Sequence, residues 1–144
     1  MTGAVPGQEM VTEVSGARPG GRFVDFGPVH LVTTGALTEL AGQLGRASVD
    51  ATRFRPNLVL DAPRDPVPGQ ELRIGDVVLR VVLPTPRCIV PGLQDQEAAL
   101  DRQLLTTLAR HHRTVVGDLG RAACFGMYAE VLQPGQLTLG QVVR

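Results

Sequence analysis

Residues 71–83 read Glu-Leu-Arg-Ile-Gly-Asp-Val-Val-Leu-Arg-Val-Val-Leu. Glu71 to Ile74 alternate polar and apolar, the period of a strand with one buried face, and Gly75-Asp76 supplies a turn. The branched run Val77–Leu83 then predicts a long strand, and Val67-Pro68-Gly69-Gln70 marks the turn that precedes the pair. The fold class follows from how often this grammar recurs. Near the C-terminus, Pro-Gly-Gln-Leu-Thr-Leu-Gly-Gln-Val-Val (134–143) repeats the order turn, strand, glycine, strand start. Two copies are too few for a solenoid, so this is shared β-turn chemistry. Val29–Val32, Leu58–Leu60 and Cys124–Leu132 read as further strands.

Two helices interrupt them. Thr33 or Thr34 can cap a helix whose apolar residues Leu37, Leu40, Ala41 and Leu44 recur at helical spacing, ending at Gly45. Leu100, Leu104, Leu105 and Leu108 form one stripe from Gln96 to about Arg110, with Asp95 as the expected cap. Residues 1–22, with five Gly and two Pro, read as a flexible N-terminal lead. Residues 23–144 then form one mainly β, α+β domain. A mixed β-barrel with two or three peripheral helices is the natural way to protect so many strand edges.

Composition closes several function classes. The 144 residues are 43% hydrophobic, enough for a core and too few residues for two full domains. Fourteen basic residues balance fourteen acidic ones, so no net field draws the chain to nucleic acid or anionic lipid. The four Phe, one Tyr and absent Trp argue against a base-stacking surface. Every basic residue is arginine, so no side-chain amine exists for a pyridoxal aldimine or a P-loop. No export signal or membrane-length apolar run is present, and two cysteines predict reduced thiols in a cytoplasmic setting.

Three constellations carry chemistry. In Arg53-Phe54-Arg55-Pro56-Asn57, strand alternation would place Arg53, Arg55 and Asn57 on one side, and Pro56 biases Arg55 toward an extended backbone. Two guanidiniums and the chain's single asparagine could grip a phosphate or a polar heterocycle, or form a plain polar strand edge. In Pro84-Thr85-Pro86-Arg87-Cys88-Ile89-Val90-Pro91, prolines fence a thiol that follows an arginine, and nearby positive charge favours the thiolate. Buried structural cysteine is the competing reading there, and it is the expected one for Cys124 between Ala123 and Phe125. Neither cysteine has zinc-site spacing. Adjacent His111 and His112 cannot face one ion from one helix and are expected to cap its solvent end. His30, on a short strand, reads as a satisfied half-buried residue.

Taken in order, "PVHLVTTGALTEL", "RFRPNLVL", "IGDVVLRVV", "PRCIVP" and "CFGMYAEVLQPGQLTLGQVV" resemble the MOSC domain, over roughly residues 23–143. The resemblance implies a molybdenum-molybdopterin cofactor with Cys88 as the metal's thiolate ligand. It further implies Arg53, Arg55, Asn57 and Arg87 around the pterin, and Thr33 or Thr34 on its phosphate at a helix N-terminus. The chemistry it implies is two-electron reduction of N-hydroxylated small molecules, with electrons from a separate redox partner. A sulfur carrier holding a persulfide on Cys88, loaded by a sulfur-donor protein, is the other reading. The sequence departs from the amidoxime-reducing members where they run Thr-Thr-x-Asp-Pro after the cysteine and where Ala36 replaces a common serine. Those members also carry a separate N-terminal domain over the cofactor. A second copy or another protein is therefore expected to cover the site face.

Overall fold

The computed structural model describes residues 10–14, 22–24, 28–87, 101–116, 118, 120–140 and 142–144. In chain order the elements begin with β1 (Met10–Val14), β2 (Arg22–Val24), β3 (Pro28–Thr33) and α1 (Thr34–Leu44). A single 3₁₀ turn at Ala51–Phe54 leads into β4 (Leu58–Asp61), β5 (Glu71–Ile74) and β6 (Val77–Pro86). Then come α2 (Arg102–His111), β7 (Arg113–Val115), β8 (Arg121–Gln133) and β9 (Gly135–Leu137). The main sheet runs β1-β4-β3-β8-β6-β5, with β7 added to β8 and a separate β2–β9 pair. β3 and β4 are parallel and are joined across α1, while the remaining pairs of the main sheet are antiparallel. The mixed sheet curls into a half-barrel.

The hairpin expected from residues 71–83 is present, with Glu71 opposite Arg80 and Ile74 opposite Val77. Alternation decides which face of β3 meets which core. Leu31 joins Leu58, Leu60, Ile74 and Leu79 inside the curl, whereas Val32 joins Leu40, Phe54, Leu104, Leu108 and Phe125 beneath the helices. His30, two residues before Val32, shares the helix side of that strand.

β8 obeys the same rule until Gly126. Phe125 lies under the helices, but Met127 belongs to the inner core although both are odd-numbered. The β6–β8 register explains this, since it shifts between Pro84–Met127 and Pro86–Cys124. Gly126, at φ +80°, takes up the extra residue of this bulge. A Cβ there would lie 2.5 Å from His30 Nε2 and 2.7 Å from the Leu31 carbonyl oxygen, so only glycine lets β3 and β8 approach this closely.

Two expectations are corrected. The lead assigned to residues 1–22 contributes β1, which pairs antiparallel with β4 from Met10–Asp61 to Val14–Leu58. Glycine-rich flanks hide so short a strand, whose order comes from its partner. The second helix is capped by Asp101, whose carboxylate accepts from Leu104 N–H at 3.0 Å, and it starts at Arg102. Asp95 and the Gln96–Leu100 part of the expected helix lie outside the described residues. α1 behaves as expected: Thr33 caps it through the Ala36 N–H, and Gly45 ends it in the left-handed conformation. No helix among the described residues is long and apolar enough to cross a membrane.

Candidate functional site

Three segments remote in sequence meet around His30. β3 carries this histidine into the space between the 3₁₀ turn, the end of β6 and the β8 bulge, where it is 7% exposed. Arg87, just past β6, donates from Nη1 to the Phe54 carbonyl at 3.1 Å, and its Nη2 lies 3.4 Å from His30 Nε2. A guanidinium has no acceptor, so this second contact is a hydrogen bond only when Nε2 is unprotonated. Burial first, and then the Arg87 charge, lower the His30 pKa from 6.5 to about 4, so the ring is neutral at physiological pH. The Arg87 guanidinium also stands 5.8 Å from the Phe54 ring centre, and Phe54 stacks on Phe125 at 4.3 Å. The Tyr128 ring lies 5.7 Å from that of His30.

The Arg53–Asn57 segment differs from the extended edge its sequence suggests. Asp50 caps the 3₁₀ turn by accepting from Thr52 N–H and Thr52 Oγ1, and burial of Phe54 pulls the turn into the core. Arg53 is thereby turned away from Arg55 and pairs with Asp101 at 2.9 Å. Arg55 closes the turn at φ +51°, the only non-glycine positive φ among the described residues. The local turn overrides the bias from Pro56, and the strained backbone leaves the Arg55 side chain exposed. Asn57 braces the strands: its Oδ1 accepts from His30 N–H at 2.8 Å, and its own N–H donates to His30 O at 2.7 Å.

Thr33 and Thr34 stand at the start of α1, as the sequence suggests, but carboxylates already engage their hydroxyls. Thr33, fully buried, donates to Asp65 at 2.7 Å, and Thr34 donates to Asp61 at 2.8 Å. Burial raises the Asp65 pKa against the lowering effect of the Thr33 hydrogen bond. A cavity of about 360 Å³ opens beside them, walled in part by Ala36, Asp65, Pro84, Cys124, Gly126 and Met127. Gly126 links this cavity to the His30–Arg87 cluster. Its volume is in the range of small-molecule sites.

Cys88, the expected ligand, lies outside the described residues, as does the segment that follows it to residue 100. Cys124 is buried, its Sγ donates to Ala122 O at 3.4 Å, and burial pushes its pKa up while the Arg87 charge pulls it down. It is the structural thiol its surroundings suggested. His111 is exposed at the end of α2, whereas His112 meets Gln43 at 2.6 Å and the edge of Phe125. Among the described residues no three His, Cys, Asp or Glu side chains gather as a metal site. Sequence reasoning missed His30 as the hub and Asp65 and Asp101 as partners. A polar residue inside the apolar run Val29–Val32 was the available signal for the first; the two aspartates had none, since their partners are remote in sequence.

The MOSC domain profile matches residues 21–144. The chain is 29% identical over 127 residues to rat mitochondrial amidoxime reducing component 2, and 29% identical over 129 residues to human mitochondrial amidoxime-reducing component 1. Each alignment covers 84% of this chain and 37% of the relative, so the chain spans well under half the length of these relatives. Among solved structures, YuaD from Bacillus subtilis superposes with a TM-score of 0.59 at 16% identity, covering 94% of this chain and 83% of that one. YiiM from Geobacillus stearothermophilus gives a TM-score of 0.61 at 17% identity, over 85% of this chain and 60% of that one. These likenesses agree with the curled mixed sheet, and the profile match over nearly the whole described domain decides the family: the chain belongs to the MOSC domain family.

Proposed function

We propose that this domain binds a molybdenum-pterin cofactor through Cys88 and serves in the two-electron reduction of N-hydroxylated small molecules. Membership of the MOSC family and similarity to amidoxime reducing components support a molybdenum-cofactor-related role in general. The observation that carries the finer reading is the convergence of Phe54–Asn57, Arg87 and Phe125–Tyr128 on His30. It fixes a cation immediately before Cys88 in the chain, beside an imidazole held neutral.

The donor set fits the group at this end. A soft thiolate suits molybdenum, and a cation next to Cys88 in the chain would favour the thiol's ionised form. Arg55, exposed and presented by a strained turn, offers a planar fork for the pterin or its phosphate, and Asn57, whose oxygen braces β3, has an amide nitrogen that could donate to a polar ring. The set is narrower than the sequence suggested. Arg53 pairs with Asp101, and Thr33 and Thr34 donate to carboxylates, so these three serve the fold in this reading. When bound, the metal supplies an acceptor for the substrate's oxygen. Overall two electrons and two protons enter, the N–O bond breaks, and the oxygen leaves as water. The electrons come from a separate redox protein, and a second copy or another protein covers the site face to exclude water.

Metal and pterin analysis tests this, on protein made in a host that synthesises the cofactor. Near-stoichiometric molybdenum and pterin in the wild type, with both retained less tightly by Cys88→Ser as purified, is the expected result. Neither group bound, with a sulfur-loaded Cys88 found by mass spectrometry, would replace this reading with the sulfur carrier.

A further inference from the structure

Asp101 does more than cap α2. A cap needs one acceptor for one N–H, and Leu104 N–H at 3.0 Å meets that need. The same carboxylate also accepts from Arg46 Nη1 at 2.7 Å, Arg46 Nη2 at 3.0 Å and Arg53 Nη1 at 2.9 Å. Arg46 follows the end of α1, and Arg53 belongs to the 3₁₀ turn, so one side chain ties three segments together. The Asp101 and Arg53 side chains are 12% and 15% exposed, which shields their pairing from solvent and salt. These bonds hold the Asp101 carboxyl at a pKa of about 2, so the tie persists across the physiological range.

The residues next to Arg53 are the ones the site depends on. Phe54 lends its carbonyl and its ring to Arg87, and Arg55 holds its left-handed backbone at a cost that something must offset. We propose that Asp101 is a positioning residue of this site: through Arg53 it locks the 3₁₀ turn that presents Arg55 and holds Arg87 against His30. The claim about Arg87 and His30 stands on the structure alone. Its consequence for cofactor retention rests on the reading under Proposed function.

Three variants separate capping from positioning. Asp101→Asn keeps a good cap and removes the charge that gathers the arginines, whereas Asp101→Glu keeps the charge on a poorer cap. Arg53→Gln cuts the link to the turn without touching α2. The readouts are the His30 titration midpoint by NMR, amide exchange of His112, whose N–H donates to Leu108 O, and pterin retention. Release of the turn admits water and frees Arg87, removing the two leading causes of the low His30 pKa. Asp101→Asn and Arg53→Gln should therefore each raise the midpoint by about one unit or more and cut pterin retention about tenfold, with His112 exchange unchanged. Asp101→Glu should restore most of both. An unchanged His30 midpoint in folded Asp101→Asn and Arg53→Gln would overturn the proposal, as would damage confined to Asp101→Glu. Should Asp101→Asn not fold, Arg53→Gln decides alone. Wild-type protein without pterin would sink the cofactor reading, and the His30 midpoint would still decide this one.

Discussion

Acid should weaken this fold through His30 before it reaches the carboxylates. The unfolded chain takes up a proton on His30 near the ordinary value of 6.5, while the folded chain resists until about 4. Between those values the unfolded state binds more protons, so stability falls as pH falls. The difference of about 2.5 units, at about 1.4 kcal/mol each, amounts to about 3.5 kcal/mol, a large share of a domain's usual margin. Above 6.5 this contribution is complete; below about 4 it is gone. Other shifted groups are separable by sign, by window or by comparison with a variant: His112, lowered by burial, acts with the same sign as His30 and cancels between two proteins that differ only at His30. Asp65, with its pKa raised by burial, stabilises the fold as it protonates, and Asp101, held near 2, loses its contribution only below the His30 window. The assay is urea unfolding at a series of pH values, for wild type and His30→Gln. The difference between the two stability curves cancels the other titrating groups and should slope by up to about 1.4 kcal/mol per unit between 6.5 and 4. Parallel curves across that window would show that His30 is not held neutral by Arg87 and burial, and the geometry of the cluster would need revision.

Other outcomes follow from named contacts. Gly126→Ala forces a side chain into positive φ and against the Leu31 carbonyl, and should cost about 3 kcal/mol or more in urea unfolding; a loss under about 1 kcal/mol would refute the tight β3–β8 approach. Cys124→Ala should cost about 1 kcal/mol through lost packing and leave cofactor content unchanged, which loss of cofactor without unfolding would contradict. Arg55→Lys keeps the charge and loses the planar fork, so pterin fluorescence after denaturation should fall several-fold; equal retention would remove Arg55 from the site.

β3, β4, β5, β6 and β8 were legible because alternation and turn residues state them locally: the hairpin at 71–83 and α1 with its Thr33 cap and Gly45 stop stand where the pattern puts them, whereas the short β7 carries no such signal. What escaped was set by partners far along the chain. β1 is a strand because β4 offers it an edge. Arg53 points to Asp101, 48 residues away, because Phe54 is buried and Asp50 caps a tight turn, which strand alternation does not foresee. His30 looked like an ordinary half-buried residue until three loops closed on it. Which of the candidate residues face a ligand and which hold the fold thus depends on tertiary contacts that local pattern does not state.

X-ray absorption at the molybdenum edge, on cofactor-loaded protein, tests the central claim most directly. If Cys88 ligates the metal, the wild type should show one more sulfur neighbour at bonding distance than Cys88→Ser loaded with the same cofactor. An identical sulfur shell in the two proteins would contradict the account.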